Sequence, residues 1–460
     1  MYDIDFNTPI HVHFIGIGGI SMSGLADILF SKGFTISGSD MNESELTRNL
    51  RDKGMIINIG QTADNITDDI DVVVYTAAIK EDNPELTEVV RRNIPMLTRA
   101  ELLGEIMSNY EVAIGVSGTH GKTTTTSMIT DILLKADLDP TVSVGGMLST
   151  IGGNLRLGNS NNFITEACEY TNSFLSFSPT IAVILNVEED HMDFFKDIDD
   201  IRLSFKKYAA LLPDDGLLVI NKDIEKYEYI CEGLNCRIVT VGSTPDCDYY
   251  AEDITHNSKG CYSYTLIKNG KKDIAVTLGV TGIHNVYNSL AALAVANFLN
   301  VPSNAALDAL KNFRGADRRF QLKGQLNGFT VIDDYAHHPT EIESTLKVAK
   351  ECEHNRVICI FQPHTYTRTN AFLKEFAKAL SMADEIILTD IFAAREKNTI
   401  GISSLDLKRE IDKYNKPCTY EPDFTKIEEL ILSIAKPSDL VITMGAGNVV
   451  VIGESLLKRG

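Results

Sequence analysis

Short runs of apolar residues alternate with segments of helical periodicity along almost the whole chain. Near the start, the runs HVHFIGI, FTISGSD and VVVYTAA end in small or polar residues. Between them lie GLADILFSKG and ELTRNLRDKG, which have helical spacing and end at a glycine. This alternation predicts parallel strands connected by helices, the arrangement of an α/β fold.

A second block with the same alternation begins near Met107. The predicted strand EVAIGVSG and the predicted helix KTTTTSMITDILLKA open it, and NFITEACE, TIAVILNV and GLLVINKD continue its sheet. The segment CYSYTLIKNGKKDIAVTL differs, because an Asn-Gly pair between two β-rich runs predicts an antiparallel hairpin. Two predicted helices, NVYNSLAALAVANFLN and NAALDALKNFR, end the block.

A third block follows Gly315, and polar residues follow its predicted strands in FTVIDDYAHHP, RVICIFQPH, EIILTDIF and LVITMGAGN. Ligands of open α/β sheets bind outside the carboxyl ends of the strands, so we expect these residues to face a ligand. The three blocks predict domains at residues 1–106, 107–315 and 316–460.

Composition narrows the class of protein. A chain of 460 residues with 44% hydrophobic and 23% charged residues is expected to be a globular enzyme of two or three domains. The formal net charge of −20 argues against nucleic-acid binding, because nucleic-acid phosphates would be repelled. The eight scattered cysteines predict free thiols, and no segment approaches the roughly 20 apolar residues that span a bilayer. We therefore expect a cytoplasmic protein without membrane insertion.

The segment GVSGTHGKTTTT has the features of a phosphate-binding loop between a strand and a helix. Its key residues are Gly118, Gly121, Lys122 and Thr123. Backbone N–H groups there would face an anion, Lys122 would reach the β- and γ-phosphates, and Thr123 would complete a Mg²⁺ shell. Val116 stands where the usual pattern has its first glycine. A glycine-rich turn capped by threonine is the alternative interpretation.

The N-terminal segment FIGIGGISMSG leaves three interpretations open. Gly16, Gly18 and Gly19 follow the first strand, and Asp40 ends the second, as in a dinucleotide-binding fingerprint. Ser21 replaces the third glycine of that pattern. NAD, the diphosphate of another nucleotide, or a tight turn without a ligand would each account for the glycines.

Acidic residues and one histidine follow two strands of the second block. They are Glu166 and Glu169 in EACEY, and Glu189, Asp190, His191 and Asp193 in NVEEDHMD. Oxygen ligands with one imidazole near a phosphate loop suit Mg²⁺. Each carboxylate by itself is expected to be solvated surface, whereas Glu166 and His191 together favour a metal site.

Polar residues also mark the end of the second block and the strand ends of the third. His284, Asn285 and Asn288 begin a helix, where they either cap it or contact a base or ribose. A phosphoryl clamp or a basic linker would explain the arginines Arg314, Arg318 and Arg319. A cleft is predicted by the strand-end residues Asp333, Asp334, Tyr335, His337, His338, His364 and Arg368.

Taken in order, eight motifs resemble the Mur ligase family of bacterial peptidoglycan synthesis over nearly the whole chain. They are FIGIGGISMSG, GTHGKTTTT, EACEY, NVEEDHMD, GIHNVYN, FRGADRRFQ, DDYAHHPTEI and FQPHTYTRT. The family's loop, Gly-Thr-x-Gly-Lys-Thr, lacks the first glycine, which accounts for Val116. The resemblance implies a Rossmann-like N-terminal domain, a central P-loop ATPase-type parallel sheet with an antiparallel flank, and a C-terminal Rossmann-like α/β domain.

The resemblance also implies a role for each group of residues. A UDP-sugar would be bound by Gly18, Gly19, Ser21, Met22, Ser23, Asp40, Thr76 and Arg99. ATP would be bound by Gly118, Thr119, His120, Gly121, Lys122, Thr123, Thr124, His284, Asn285 and Asn288. Thr123 and Glu166 would hold one Mg²⁺ ion and His191 a second. The catalytic residues would be Lys122, His191, Arg319 and His364, and the acceptor amino acid would contact Tyr335, His364 and Arg368.

The branch of the family that these motifs resemble uses ATP to activate the carboxylate of UDP-N-acetylmuramate as an acyl phosphate, which L-alanine then attacks. A ligase that recycles a preformed tripeptide is the alternative within the family. An NAD-dependent dehydrogenase would explain the first glycines but not the phosphate loop, and a nucleotide-sensing module would explain the loops but not the metal ligands. A monomer or a homodimer is expected.

Overall fold

The computed structural model describes residues 2–76, 79–192, 194–258, 260–315, 317–394 and 396–459, apart from the side chain of Ser149. The strands of these residues form three sheets, and helices connect most of the parallel strands that follow each other in the chain.

The first sheet has the strand order β3-β2-β1-β4-β5, and the four pairings between its described strands are parallel. Its strands are β1 (His11–Ile15), β2 (Thr35–Asp40), β3 (Ile56–Ile59), β4 (Val72–Tyr75) and β5 (Met96–Thr98). The helices are α1 (Ile20–Ser31), α2 (Glu45–Asp52), α3 (Pro84–Arg92) and α4 (Arg99–Ser108), with a 3₁₀ turn at Ala63–Asn65.

The second sheet has the order β15-β14-β13-β12-β11-β10-β6-β9-β7-β8. Its strands are β6 (Val112–Ser117), β7 (Thr141–Leu148), β8 (Gly153–Arg156), β9 (Asn162–Glu166), β10 (Ile181–Ile184), β11 (Leu217–Asn221), β12 (Arg237–Gly242), β13 (Tyr249–His256), β14 (Cys261–Lys268) and β15 (Lys271–Thr281). The helices are α5 (Lys122–Lys135), α6 (Ile198–Ala209), α7 (Tyr227–Cys231), α8 (His284–Phe298) and α9 (Ser303–Asn312), with 3₁₀ turns at Ser149–Ile151 and Tyr170–Ser176.

The third sheet has the order β16-β17-β21-β18-β19-β20, and only the pairing of β16 with β17 is antiparallel among the described residues. Its strands are β16 (Gln321–Leu326), β17 (Phe329–Asp334), β18 (Val357–Phe361), β19 (Glu385–Leu388), β20 (Cys418–Tyr420) and β21 (Leu440–Met444). The helices are α10 (Pro339–Glu351), α11 (Tyr366–Ala371), α12 (Leu373–Leu380), α13 (Ser404–Asp412), α14 (Phe424–Ile434) and α15 (Val450–Lys458).

Local sequence explains where these elements begin and turn. Strands β1, β10 and β18 are buried along their whole length, as expected for central strands of parallel sheets. Asn269 and Gly270 have φ of 49° and 71° between the antiparallel strands β14 and β15, as a hairpin turn of this sequence requires. Thr98 and Glu101 cap the start of α4 with reciprocal hydrogen bonds. The predicted three-part α/β fold with an antiparallel flank is confirmed.

The chain divides into two compact units, Met1–Tyr250 with Leu290–Ala306, and Ala251–Ser289 with Leu307–Gly460. The predicted domain boundaries at 106 and 315 stay predictions. All eight cysteines are free thiols. None of the helices among the described residues is long and apolar enough to cross a membrane.

A tight contact between Gly115 and Tyr208 fixes strand β6 in the core of the first unit. Tyr208 on α6 is fully buried, stacks on Phe174 with centroids 4.6 Å apart, and donates its hydroxyl to the Gly115 carbonyl at 3.0 Å. A Cβ at Gly115 would lie 2.2 Å from the Tyr208 oxygen but 3.4 Å from the ring carbon that bears it. The hydroxyl, rather than the ring, therefore requires glycine at position 115.

Gly115→Ala is expected to lower the free energy of unfolding by about 1–3 kcal/mol, because a buried methyl group would overlap the Tyr208 oxygen. Tyr208→Phe alone should cost only about 0.5–1.5 kcal/mol through its lost hydrogen bond. The double variant should therefore be more stable than Gly115→Ala, as measured by urea unfolding followed by circular dichroism. A double variant in which the two losses simply add would contradict this explanation.

Candidate active site

The phosphate-binding loop connects β6 to α5, as its sequence predicted. Gly118 and Gly121 have φ of 136° and 84°, which residues with a side chain rarely adopt. A Cβ at Gly118 would lie only 3.0 Å from the Cβ of Leu185 and 3.1 Å from the backbone nitrogen of Asn186. Glycine therefore lets the loop pass directly against the end of β10.

Asn186, which the sequence analysis did not select, holds this loop in place. Its Oδ1 accepts the His120 N–H at 2.7 Å, and its Nδ2 donates to the His120 carbonyl at 3.0 Å. Its own carbonyl accepts the Thr119 N–H at 3.2 Å. The Thr119 hydroxyl in turn accepts the Glu188 N–H at 2.9 Å. An amide directly after a buried strand was the available signal, but its partner is distant in sequence.

Lys122, at the start of α5, is held by the loop and by a buried carboxylate. Its Nζ donates to the carbonyls of Gly118 and Thr119 at 2.5 and 3.1 Å, and lies 3.1 Å from Glu169 Oε2. Burial lowers the pKa of Lys122, but Glu169 and the nearby Cys168 and Glu166 raise it by more, so its net pKa is above the usual value. The Lys122 side chain is therefore a cation.

Glu169 lies between two residues that the sequence selected as catalytic. Its carboxylate, only 3% exposed, is close to Lys122 on one side and 4.0 Å from His191 Nε2 on the other. The His191 ring stacks on Tyr170 with centroids 4.4 Å apart, and its backbone has a left-handed φ of 54°. The structure thus brings Lys122, Glu169 and His191 together.

Glu166, the carboxylate selected from sequence as a metal ligand, has a different partner. Its Oε1 accepts the N–H of Gly145 on β7 at 2.6 Å. In the part of the chain that the structure describes, no group of three His, Cys, Asp or Glu side chains could hold a metal. A metal here would therefore need oxygens from a phosphate or from water as well. Asp193, another candidate, lies outside the described residues.

The glycine turn after β1 packs against Asp40 and Thr76. Asp40 Oδ2 accepts the Gly18 N–H at 3.0 Å, and a Cβ at Gly18 would lie 2.7 Å from the same oxygen. A Cβ at Gly16 would lie 3.0 Å from Thr76 Cγ2. Asp40 therefore stabilises the turn itself.

Ser21 and Arg99 meet at the same edge of the first sheet, where Arg99 Nη1 donates to Ser21 Oγ at 3.2 Å. Arg99 and Lys122 both interact electrostatically with Cys168, which stands between Glu166 and Glu169 in the sequence. Both cations belong to the first unit, Arg99 beside the glycine turn and Lys122 in the phosphate loop.

Met22 and Ser23, also predicted for the diphosphate site, have buried side chains on α1. They are 2% and 5% exposed, and the Ser23 hydroxyl donates to the Ile20 carbonyl at 3.0 Å. Their side chains pack the helix, so a ligand could reach only their backbone groups.

In the second unit, the residues predicted to contact adenosine lie at the start of α8. His284 is exposed, whereas Asn285 and Asn288 are buried. Asn285 Nδ2 donates to the Thr281 carbonyl at 2.7 Å, and Asn288 Nδ2 donates to Asn285 Oδ1 at 2.9 Å. The two amides fix the start of this helix, and His284 faces solvent.

Five predicted residues cluster at the carboxyl edge of the third sheet. The Arg319 guanidinium lies 5.3 Å from the Tyr335 ring centroid, and the Tyr335 and His337 rings are 5.4 Å apart. His337 is 5.6 Å from His364, and Arg368 Nη1 donates to His364 Nδ1 at 3.1 Å. Burial, with His337 and Arg368, lowers the pKa of His364 to about 4, so His364 is a neutral acceptor.

The remaining candidates of this region bond the backbone and each other. Arg318 pairs with Asp333 at 2.9 Å and donates to the carbonyls of Gly445 and Gly447. Asp334 accepts the N–H groups of Phe320 and Ala336, and burial raises its pKa to about 6.

Two residues beside the cluster were not predicted from the sequence. Glu341 lies 3.6 Å from Arg319 and 3.3 Å from His337, and Phe392 stacks on His364.

Comparison with known proteins agrees with this geometry. Residues 11–111, 116–296 and 318–447 match family models described as "Mur ligase family, catalytic domain", "Mur ligase middle domain" and "Mur ligase, glutamate ligase domain". The matches to these models and to curated ligases show that the protein is of the class of ATP-dependent ligases. The chain belongs to the Mur ligase family.

Individual relatives match the chain over its whole length. It is 57% identical over 459 residues to the UDP-N-acetylmuramate–L-alanine ligase of Lachnospira eligens, covering 100% of both chains. It resembles the crystal structure of UDP-N-acetylmuramate-alanine ligase MurC from Thermotoga maritima, at 30% identity and a TM-score of 0.80 over 98% of this chain and 99% of that one. A murein peptide ligase from Psychrobacter arcticus is 26% identical, with a TM-score of 0.69 over 98% of each chain.

Asn186→Ala is expected to weaken ATP binding about 10- to 100-fold, because the phosphate loop would lose two hydrogen bonds to a partly buried amide. Isothermal titration with a non-hydrolysable ATP analogue measures the change. Asn221→Ala is a suitable control, since Asn221 Nδ2 donates to the Leu185 carbonyl next to the same segment without touching the loop. Equal affinities for the unaltered protein and a folded Asn186→Ala variant would show that the loop does not depend on this amide.

Proposed function

We propose that the protein is an ATP-dependent ligase that joins L-alanine to the carboxylate of UDP-N-acetylmuramate and releases ADP and phosphate. The observation that carries the proposal is a phosphate loop between β6 and α5 whose carbonyls hold the Lys122 ammonium, a cation paired with the buried carboxylate of Glu169. An identity of 57% over the full chain to a curated ligase of this specificity supports the choice of substrates.

The chemistry explains why such a site needs positive charge. A carboxylate is a poor electrophile, so it must first receive the γ-phosphoryl group of ATP and become an acyl phosphate. The amine of alanine then attacks the acyl carbon, and phosphate leaves from a tetrahedral intermediate. Both steps bring anions together, and fixed cations stabilise the charge that develops. We assign this role to Lys122 at the β- and γ-phosphates and to Arg319 at the transferring group.

Mg²⁺ would neutralise phosphate oxygens in this site, and the side chains around Lys122 fit that ion. Glu169 offers a buried carboxylate between Lys122 and His191, whereas Glu166 is bonded to the backbone of β7. We therefore assign Glu169, with the Thr123 hydroxyl, to one Mg²⁺ in place of Glu166, and His191 to a second. Two ions stay an expectation from the family resemblance.

The residues predicted from the sequence to bind ATP and the UDP diphosphate also belong to the proposal. Gly118, Thr119, His120, Gly121 and Thr124 would surround the ATP phosphates from the loop, and exposed His284 would reach adenosine. Ser21, Arg99 and the backbone of the glycine turn would bind the UDP diphosphate. We also retain the domains 1–106, 107–315 and 316–460, and the choice between a monomer and a homodimer, as predictions.

The function is tested by incubating the protein with UDP-N-acetylmuramate, ATP, Mg²⁺ and each amino acid in turn. Mass spectrometry should detect a product enlarged by one alanine residue, together with ADP and phosphate. Ligation of a preformed tripeptide but not of alanine would support the recycling ligase instead. Consumption of NADH without phosphate release would indicate a dehydrogenase.

Glu169→Gln is expected to raise the Mg²⁺ concentration for half-maximal activity at least about 10-fold, because it removes the charge of the bridging carboxylate. Glu166→Gln is the matched control and should change it no more than about two-fold, since an amide oxygen can still accept the Gly145 N–H. Mn²⁺ binding in the presence of an ATP analogue, measured by electron paramagnetic resonance, gives a readout independent of turnover. A larger effect of Glu166→Gln than of Glu169→Gln would show that Glu166 is the metal ligand.

Arg368→Lys is expected to lower kcat/KM for L-alanine about 10- to 150-fold while leaving KM for ATP and UDP-N-acetylmuramate nearly unchanged. A guanidinium grips a carboxylate through two N–H groups, which an ammonium cannot copy. The family resemblance places a second arginine directly after the histidine, but Thr365 stands there in this chain. Steady-state kinetics with each substrate varied separately measure the effect, and unaltered alanine kinetics would remove Arg368 from the acceptor site.

A further inference from the structure

Glu85 on α3 is a buried carboxyl group that the site described above does not use. It is 0% exposed, and burial raises its pKa, although hydrogen bonds from Ser39 and Asn65 and from the backbone of Thr62 oppose the shift. The nearest histidine, His13, is equally buried, with its Nε2 3.9 Å from Glu85 Oε1. Burial of a carboxyl group is costly, so an apolar residue would serve simple packing better.

The two oxygens of Glu85 bind two different segments of the first unit. Oε2 accepts the Ser39 hydroxyl at 2.6 Å, and Oε1 accepts Asn65 Nδ2 at 2.5 Å. Ser39 lies on β2, next to Asp40, whereas Asn65 lies in the 3₁₀ turn after β3. Glu85 therefore connects the carboxyl ends of two neighbouring strands.

Through Ser39, this connection reaches the glycine turn. The Ser39 carbonyl accepts the N–H groups of Gly16 and Ile17 at 2.8 and 2.9 Å. The following residue, Asp40, accepts the Gly18 N–H and leaves no room for a side chain at Gly18. A displacement of the end of β2 would therefore displace the turn.

Through Asn65, the connection closes into a ring. Asn65 Nδ2 also donates to the Gly60 carbonyl at 2.9 Å, and the Gly60 N–H donates to the Asp40 carbonyl at 2.8 Å. Glu85, Ser39, Asp40, Gly60 and Asn65 thus form a continuous circuit of hydrogen bonds and backbone. We call this circuit the Glu85 ring.

We propose that Glu85 is a positioning residue that holds the glycine turn in the conformation that binds the diphosphate of the UDP-sugar. The proposal rests on the proposed function, because it takes a uridine diphosphate as the ligand of this turn. Glu85 itself does not touch the ligand. It acts through Ser39 and Asn65, which fix the segments on both sides of Asp40.

The test uses Glu85→Gln in the full chain, because glutamine keeps the size of the side chain. Its oxygen can still accept from Asn65 Nδ2, but its NH₂ group must then donate to the Ser39 hydroxyl, so the variant removes the carboxylate charge and reverses the hydrogen bond to β2. UDP affinity, measured by isothermal titration, should fall about 10- to 100-fold, as for loss of a charged hydrogen bond. Affinity for an ATP analogue and kcat at saturating substrates should stay unchanged, whereas KM for UDP-N-acetylmuramate should rise.

Glu88→Gln is the matched control on the same helix. Glu88 bonds Arg91 and Arg92 rather than a strand end, so the same change of charge should leave UDP affinity unaltered. Asn65→Ala provides a second variant at a partly exposed position of the ring. It should also weaken UDP binding. In the Glu85→Gln/Asn65→Ala double variant, the loss of UDP binding free energy should be clearly smaller than the sum of the two single losses, because both substitutions break the same ring.

Each outcome bears on the proposed function or on the positioning role of Glu85. If the unaltered protein does not bind UDP, the proposed function fails, and the positioning role fails with it. If unaltered and Glu85→Gln proteins bind UDP equally, only the positioning role is overturned. If Glu85→Gln does not fold, Asn65→Ala alone decides, and normal UDP affinity in that variant overturns the proposal. Equal losses of UDP and ATP-analogue affinity would indicate general destabilisation and also overturn it.

Discussion

The burial of the Lys122 ammonium against Glu169 is the interaction on which the site depends. A charge held away from water is stable only if fixed partners replace the water, and here they are two loop carbonyls and one carboxylate. The left-handed glycines bring the carbonyls to the ammonium, and the segment after β9 brings the carboxylate. The phosphate loop and His191 are therefore linked through Glu169, the proposed metal ligand, which lies close to both Lys122 and His191.

The geometry of parallel sheets accounts for what could be predicted from the sequence. Parallel strands that end at one edge must carry their polar residues there, so the strand ends of all three sheets, and the hairpin at Asn269 and Gly270, were predictable from periodicity and turn residues. The clustering of Tyr335, His337, His364 and Arg368 followed from the same rule. Tertiary packing selects among strand-end residues, however, and the spacing of Glu166 and Glu169 contains no information about which of them faces Lys122.

Residues that support the loops were beyond the sequence analysis for a related reason. Asn186 and Glu85 are defined by partners 66 and 46 positions away in the chain, respectively. Asn186 opens the motif NVEEDHMD, but the motif does not show that its amide bonds the phosphate loop, and Glu85 stands in none of the eight motifs. Met22 and Ser23 illustrate the converse, since they belong to a motif yet have buried side chains. A motif identifies the backbone that meets a ligand, whereas the supporting side chains depend on which elements the fold places beside it.

The contact between Gly115 and Tyr208 has a consequence for how this sequence can change over time. As long as the phenol is present, any β-carbon at position 115 overlaps its oxygen, and once the glycine is replaced the phenol can no longer keep its place. The two positions are therefore not equivalent: Tyr208 can lose its oxygen while Gly115 is retained, whereas a side chain at position 115 requires that the oxygen has gone first. Homologues with a side chain at position 115 are therefore expected to lack the phenol oxygen at position 208, a one-way dependence imposed by a single oxygen atom.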